Sequence, residues 1–181
     1  YLCVNETPVV GGLGPIYYPN QLNEFLAACD AITVERENLP DDMLRQAANI
    51  GLAPNYDALV TLRERNTQKA MLDELKIPTA PWSFVSTPDQ LESALDALPG
   101  KYARCKRTLG GYDGAGQWRV DQNTREAVPA DAYPVIAEAE IAIDHEYAII
   151  IGRDRQGNTA CYPMTENAMR DGILIGSHVP S

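Results

Sequence analysis

The first part of the chain alternates between segments with a helical repeat of apolar residues and short β-rich runs. The repeat predicts helices over 20–28 and 40–49, and the run between them at 31–34 predicts a strand. Two further helical stretches are expected within 57–76, and Pro78 ends that pattern. Because strands that alternate with helices usually pair in parallel, the pattern favours an α/β fold here.

The pattern changes after this proline, so we expect a domain boundary near it. A short strand at 82–85 and a helix at 87–98 come first. Strands at 102–106 and 117–120 then flank a glycine-rich loop at 110–116, so the loop is expected to join two strands rather than a strand and a helix. Further strands are expected at 135–138, 146–152 and 159–162, with a hairpin turn at 153–157.

Composition and charge narrow the class of protein. Of the 181 residues, 45% are hydrophobic and 22% are charged, which is ordinary for a globular protein. The net charge is −10 and no basic stripe is present, so a nucleic-acid partner is not expected. No run of 18 apolar residues occurs and no charged-then-apolar leader opens the chain, so neither a membrane segment nor secretion is expected.

Cysteine and histidine usage argues against a zinc site, a disulfide framework and a Ser-His-Asp triad. The four cysteines are widely spaced with no CxxC pair, which favours reduced thiols in a cytoplasmic protein over a zinc site or disulfides. The chain has only two histidines, His145 and His178, and they lie far apart in sequence, so a Ser-His-Asp triad is not expected. The chain begins with Tyr1 and stops at Ser181 just after an apolar stretch, and we interpret it as a fragment.

The glycine-rich loop is the strongest chemical signal. Four of the seven residues at 110–116 are glycine, which lets backbone N–H groups approach an anion closely. Lys106 on the preceding strand can point at the same phosphates. The spacing is neither that of a Walker A loop nor that of a Rossmann GxGxxG turn. A purely structural hairpin turn is the alternative, and the adjoining lysine favours phosphate binding.

Carboxylates form the second signal. Glu138 and Glu140 close one predicted strand and Glu146 opens the next, where they could accept hydrogen bonds from ribose hydroxyls or an adenine amino group. Glu35 and Glu37 alternate at the end of an earlier strand, and ligands of open parallel sheets bind beyond such ends. Solvated carboxylates are the alternative in both places.

Several stretches, taken together and in order, resemble the 5-(carboxyamino)imidazole ribonucleotide synthetases, ATP-grasp enzymes of bacterial and fungal purine biosynthesis. They are TVERENLP at 33–40, RNTQK at 65–69, IPTAPW at 77–82, GGYDG at 110–114, YP at 162–163, EN at 166–167 and DGIL at 171–174. The resemblance runs from about Tyr1 to Ser181, and GGYDG and IPTAPW are its most specific parts.

The resemblance implies an ATP-grasp fold of the α/β class. It implies a parallel α/β domain with a linker helix in 1–80, a small α+β ATP-binding subdomain in 81–141, and the start of a large ATP-grasp subdomain in 142–181. Family chains are longer, so the resemblance also implies truncation at both ends and a fragment that is inactive alone.

The resemblance further implies an ATP-dependent ligase. ATP would phosphorylate bicarbonate to carboxyphosphate, and the amine of aminoimidazole ribonucleotide would take up the carboxyl group. The cofactors implied are ATP and Mg²⁺, with the Mg²⁺ ligands expected in the part of the family C-terminal to these residues. The partners implied are small-molecule substrates in a cytoplasmic homodimer, without nucleic acid or membrane.

Site residues follow from the resemblance position by position. Asp113 is the candidate proton acceptor for the substrate amine, and Lys106 is the candidate lysine on the ATP phosphates. Contacts to the imidazole ribonucleotide are expected from Glu35 or Glu37, Tyr112 and Asp113. The ATP site is expected to comprise Arg65, Lys106, Gly111, Tyr112, Asp113, Gly114, Ala115, Gly116, Gln117, Glu138, Ala139, Glu140, Ile141, Glu146 and Met169.

Three residues depart from the family pattern and keep other functions open. Ala115 stands where a basic residue usually follows GYDG, Met169 stands where a histidine is usual, and Arg36 replaces an apolar residue. One alternative is another carboxylate–amine ligase of the ATP-grasp superfamily. The other is a degenerate module that binds a nucleotide without turnover.

Overall fold

The computed structural model describes residues 1–3, 14–110, 116–170 and 173–179. The chain forms two compact units, Tyr1–Ile77 and Pro78–Ser181. The further division of the second unit near residue 141 stays a prediction. Among the described helices, none is long and apolar enough to cross a bilayer.

The first unit alternates helices with two short strands, as its sequence pattern predicts. Strands β1 and β2 pair in parallel, with Ile32 opposite Leu52 and Thr33 opposite Ala53. In chain order the elements are α1 (Leu22–Ala27), β1 (Ile32–Thr33), α2 (Asp41–Ala48), β2 (Leu52–Ala53), α3 (Tyr56–Arg63) and α4 (Arg65–Glu74). The parallel pairing expected from the alternation is therefore present.

A small apolar core holds this unit together. It is formed by Ile32, Leu44, Ala47, Leu52 and Leu59, each of them buried. Residues 44 and 47 are one helical turn apart on α2, which therefore presents one apolar face to the strands. The burial of this face places the start of α2 near the start of α3.

Asp41, the first residue of α2, ties the two helices together. Its carboxylate accepts hydrogen bonds from the Tyr56 hydroxyl at 2.8 Å, from Arg63 Nη2 at 2.9 Å and from Arg45 Nε at 3.0 Å. The Tyr56 hydrogen bond, with help from the two arginines, lowers the pKa of Asp41 below 3.8. A carboxyl group with a lowered pKa in the folded state stabilises that state above its unfolded pKa.

We expect Asp41→Asn to lower the thermal unfolding midpoint by about 3 °C at neutral pH. The difference from the parent should begin to shrink as pH falls below 3.8, where the unfolded chain takes up the proton, and should vanish as pH falls through the lowered pKa of Asp41 in the folded state. Thermal melts monitored by circular dichroism between pH 7 and 3 measure both quantities. Asp42→Asn is the matched control, since Asp42 is an exposed carboxylate in the same helical turn. Equal losses from both substitutions at every pH would contradict the assignment.

The second unit is organised around an antiparallel four-stranded sheet. Its elements are β3 (Trp82–Val85), α5 (Leu91–Ala97), β4 (Ala103–Arg107), β5 (Gln117–Val120) and β6 (Val135–Ala139). The strand order is β3-β6-β4-β5, so β6 returns to the middle of the sheet between β3 and β4. The predicted strands and the predicted strand–loop–strand arrangement around the glycines are confirmed.

Alternation along the strands gives this sheet one apolar face and one charged face. Val85, Leu91, Cys105, Val135 and Ala137 belong to the core on one side, where α5 packs. Burial raises the pKa of the Cys105 thiol to about 11, so this thiol stays protonated and inert at neutral pH. The next residue of β4, Lys106, points to the opposite face because successive side chains alternate.

The remaining strands follow as β7 (Glu146–Ala148), β8 (Ile151–Arg153), β9 (Thr159–Cys161), β10 (Thr165–Arg170) and β11 (Ile173–His178). Strands β8 and β9 form the predicted hairpin, and β11, β10 and β7 form a separate antiparallel sheet. The single strand expected over 146–152 is wrong, because the structure breaks it into β7 and β8. The sequence pattern does not predict β10 and β11, because polar residues dominate β10 and the apolar run 173–175 at the start of β11 is too short to identify a strand by itself.

Candidate functional site

Two glycines in a left-handed conformation flank the loop between β4 and β5. Gly110 has a φ of +73° and Gly116 a φ of +71°, which are conformations that side chains with a Cβ rarely adopt. The Gly116 carbonyl accepts a hydrogen bond from the Arg107 amide at 3.0 Å, which closes the base of the loop. Gly111, Tyr112, Asp113, Gly114 and Ala115 lie outside the described residues, so their predicted roles stay predictions.

Lys106 and Glu138 form an ion pair on the charged face of the sheet. The Lys106 ammonium contacts Glu138 Oε2, and the side chains are 28% and 10% exposed. In the β4–β6 register Lys106 stands opposite Ile136 and Arg104 opposite Glu138, so the lysine reaches its partner diagonally. Gln117, the first residue of β5, stands opposite Lys106 on its other side. Two of the predicted ATP-site residues, Lys106 and Glu138, are thus in direct contact.

Glu140, two residues further on, is held by arginine instead. Arg119 Nε donates to both carboxylate oxygens at 2.8 and 2.9 Å, and Arg119 Nη2 donates to Oε2 at 2.8 Å. Arg104 Nη2 lies 3.5 Å from Oε1. The Arg119 hydrogen bonds lower the pKa of the Glu140 carboxyl, and they raise the pKa of the guanidinium. The Glu140 side chain is therefore engaged within the sheet.

The backbone that carries these glutamates is fixed up to residue 140. The Ala139 amide donates to the Pro81 carbonyl at 2.8 Å, and the Glu140 amide donates to the Tyr102 carbonyl at 3.0 Å. Among the hydrogen bonds of the described residues, none engages the amide of Ile141. Ala139 and Ile141 both belong to the predicted ATP site, and the Ile141 amide is the first along this segment that can donate to a ligand.

Glu146 and Met169 lie in the sheet formed by β7, β10 and β11. Glu146 accepts a hydrogen bond from Asn167 Nδ2 at 3.2 Å, and Ser177 Oγ donates to Asn167 Oδ1 at 2.8 Å. Met169 is partly exposed, and the strand register shifts between it and Ala168. The amide of Asn167 therefore orients Glu146.

The first unit carries the remaining predicted residues. Strand β1 ends at Thr33, so Glu35 and Glu37 follow the strand instead of alternating at its end as the sequence pattern predicted. Arg36 is exposed and its Nε lies 3.2 Å from the Glu35 carboxylate, so it carries no cost of burial. Arg65 is the first residue of α4 and is half-buried.

Sequence reasoning missed two groups of charged residues. Arg104 and Arg119 stand opposite each other across β4 and β5, and the period of two from Lys106 places Arg104 on the charged face. Glu166 lies between both histidines, with His145 Nδ1 at 2.7 Å and His178 Nε2 at 3.3 Å. No sequence signal could reveal this contact, because it depends on the register of β10 and β11. Within the described ranges, no three His, Cys, Asp or Glu side chains are placed to hold a metal ion.

The two glutamates differ in what their partners can do. An arginine fork with three hydrogen bonds fixes the orientation of a carboxylate, whereas an ammonium is a point charge that can turn to another anion. Lys106 stands directly before the glycine-flanked loop, where backbone amides can approach phosphate oxygens. The charged face can therefore present one exchangeable cation to an anionic ligand while Arg119 keeps the neighbouring segment fixed.

We expect Lys106→Met to reduce the free energy of unfolding by about 2 kcal/mol, because it leaves a buried carboxylate without its ammonium. This loss lies between those measured when an exposed ion pair and a fully buried ion pair are broken. Chemical denaturation measures it, and Lys101→Met is the control, since Lys101 is an exposed lysine just before β4. A loss no larger than the control's would show that the Lys106–Glu138 contact contributes nothing.

Comparison with known proteins adds independent information. Residues 70–181 match the ATP-grasp domain family. The N5-carboxyaminoimidazole ribonucleotide synthase of Escherichia coli K12 is 39% identical over 145 residues, which cover 79% of this chain and 41% of that protein. The synthase of the same name from Brucella melitensis biotype 1 is 38% identical over 170 residues, covering 90% of this chain and 46% of that protein. The chain thus spans less than half the length of these relatives.

Solved structures agree with the sequence comparison. The crystal structure of an N5-carboxyaminoimidazole ribonucleotide synthetase in complex with ADP has a TM-score of 0.87 to this chain at 25% identity. The match covers 99% of this chain and 50% of that one. The ATP-grasp fold and the resemblance to these synthetases, both expected from the sequence, are confirmed.

Proposed function

The chain belongs to the ATP-grasp family, and from that premise we propose that the protein carrying these residues is an ATP-dependent ligase that carboxylates aminoimidazole ribonucleotide with bicarbonate. One observation carries the proposal: Lys106 stands on the charged face beside the glycine-flanked loop, in an ion pair that a phosphate can replace. The relatives at 39% and 38% identity bear the name of this synthase, which supports the choice of substrates.

The reaction proceeds in two transfers. The γ-phosphoryl group of ATP moves to a bicarbonate oxygen, which yields carboxyphosphate and ADP. The exocyclic amine of aminoimidazole ribonucleotide then attacks the carboxyl carbon, the carbon–oxygen bond to phosphate breaks, and the amine loses a proton. Catalysis of such steps rests on positioning and on neutralising phosphate charge.

Lys106 supplies that neutralisation in our proposal. Its ammonium exchanges Glu138 for phosphate oxygens when ATP binds, and the Glu138 carboxylate then accepts a hydrogen bond from the adenine amino group. The loop from Gly111 to Gln117 covers the phosphates and excludes water, which would otherwise hydrolyse carboxyphosphate. Asp113 accepts the proton from the substrate amine.

Further contacts complete the proposed nucleotide site. The segment 138–141 faces the adenine base, and the Ile141 amide is its available donor. Glu146 binds the ribose hydroxyls, oriented by Asn167. Met169 lies near the nucleotide, and Arg65 reaches the phosphates.

The aminoimidazole ribonucleotide has its own proposed contacts. Tyr112 and Asp113 contact it from the glycine-rich loop. One of Glu35 and Glu37 contacts it from beyond the end of β1.

We extend the proposal to Mg²⁺, oligomeric state and location. Mg²⁺ enters with the ATP phosphates, but the described residues offer no acidic cluster that fits it, so no step is assigned to a metal here. The family resemblance supports a cytoplasmic homodimer, which light scattering tests. The net charge of −10 is consistent with small-molecule substrates and not with nucleic acid.

We expect phosphate release that requires both bicarbonate and aminoimidazole ribonucleotide. Lys106→Met should lower kcat/KM by about 10²- to 10³-fold, the usual cost of removing one group that stabilises transition-state charge. Lys76→Met, at an exposed lysine of the first unit, should keep the parent rate. A coupled phosphate assay on the folded protein carrying these residues, well below the unfolding temperature of each variant, measures both.

The same assay separates the alternatives. Phosphate release that depends on a different acid and amine would assign the protein to another carboxylate–amine ligase. ATP binding without turnover, unchanged in a variant with Ala115→Arg and Met169→His, would indicate a degenerate module. Either outcome contradicts the proposed reaction.

A further inference from the structure

Two glutamates on one edge of the charged face are held by cations of different kinds. Glu138 contacts the Lys106 ammonium, which is a single point charge. Glu140 accepts three hydrogen bonds from the Arg119 guanidinium between 2.8 and 2.9 Å. A forked contact specifies the position and the angle of the carboxylate, whereas a point charge specifies only its proximity. Arg119 therefore constrains Glu140 more tightly than Lys106 constrains Glu138.

Arg119 is itself fixed in place. Its guanidinium carbon lies 3.5 Å from the centre of the Tyr102 ring, which is within the range of a cation–π contact. Hydrogen bonds from Lys101 and Arg119 lower the pKa of the Tyr102 hydroxyl, so the ring carries a polar anchor at its far end. The guanidinium thus contacts the Tyr102 ring and the Glu140 carboxylate at the same time. A lysine at this position could reproduce the charge but not the stacked, forked geometry.

Arg119 binds Glu140 just beyond the end of strand β6. Strand β6 ends at Ala139, and Glu140 keeps one backbone hydrogen bond, to the Tyr102 carbonyl at 3.0 Å. Ile141 comes next, and within the described part of the chain its amide has no hydrogen-bond partner. Tyr102 thus receives the backbone of residue 140 on its carbonyl and stacks the arginine that holds the side chain of residue 140. Without Arg119, the Glu140 side chain would keep only the longer contact to Arg104 at 3.5 Å, and the backbone hydrogen bond of residue 140 would become the main constraint on the Ile141 amide.

We propose that Arg119 is a positioning residue, acting through Glu140, that makes the nucleotide site select adenine over 6-oxopurine bases. The inference rests on the proposed function, in which the segment 138–141 faces the base. Arg119 itself touches neither the base nor the phosphates.

The chemistry of the bases explains the selection. Adenine presents an amino donor at position 6 and an acceptor at N1, whereas hypoxanthine presents a carbonyl acceptor at position 6 and a donor at N1. A fixed Ile141 amide donates to N1 of adenine and opposes the N1 donor of hypoxanthine. Selection against the wrong base requires that this amide cannot turn away, since an unpaired polar group disfavours binding only while it is held in place.

The test uses calorimetry to measure the affinities of ATP, ITP and tripolyphosphate for the protein carrying these residues. In Arg119→Lys we expect ATP affinity to fall by about tenfold, the equivalent of one lost charge-assisted hydrogen bond. ITP affinity should change by less than about twofold, so the ATP-to-ITP ratio falls. Tripolyphosphate affinity should be unchanged, because the Lys106–Glu138 pair is not altered. Arg125→Lys is the control, since Arg125 donates to Gln122 and pairs with Glu92 away from this face.

A second variant keeps the test decisive if Arg119→Lys folds poorly. Glu140→Gln removes the carboxylate and should lower the ATP-to-ITP ratio by a similar factor. The double variant should then add nothing, because both residues act through one contact. An unchanged ratio in Arg119→Lys and Glu140→Gln, with the parent binding ATP normally, would overturn the inference alone. A parent that binds no adenine nucleotide would overturn the proposed function together with it.

Discussion

A carboxylate that has lost most of its water must keep a positive charge beside it. In the second unit this constraint joins Lys106 to Glu138 across neighbouring strands, with Glu138 only 10% exposed. The pair can form there because alternation sends Cys105 and Ala137 into the apolar core and the residues next to them to the other face. The same alternation therefore builds the core and the candidate site, and neither can change its register without the other.

Lysine and arginine hold their carboxylates differently on the charged face, and the proposed function rests on that difference. Lys106 can exchange partners, since one ammonium meets one carboxylate at the edge of a loop that glycine makes accessible to an anion. Arg119 cannot do so at low cost, since exchange would break three hydrogen bonds and a stacking contact with Tyr102. A nucleotide site needs both properties: one charge that follows the phosphates and one segment that stays still beneath the base.

The sequence predicts much of this arrangement but not the contacts that give it precision. Strands β4, β5 and β6 and the loop between the first two follow from alternation and from glycine, and Lys106 is identified by its place before that loop. The sequence alone does not identify Arg119 as the partner of Glu140, because the contact depends on the register of β5 against β4 and on where β6 ends. For Glu35 and Glu37 the sequence pattern implied more regular structure than is present. Residues two apart share a face only inside a strand, and β1 ends at Thr33, before either glutamate.

The central claim is that Lys106 meets the terminal phosphates of ATP, and affinity labelling tests it most directly. An acyl-phosphate derivative of ATP transfers its acyl group to a lysine amine next to the γ-phosphate, forming an amide and releasing ATP. The account predicts that peptide mapping finds the acyl group on Lys106 and that excess ATP suppresses it, while any label on the exposed Lys101 persists. Labelling that spares Lys106, or that excess ATP leaves unchanged, would contradict the account.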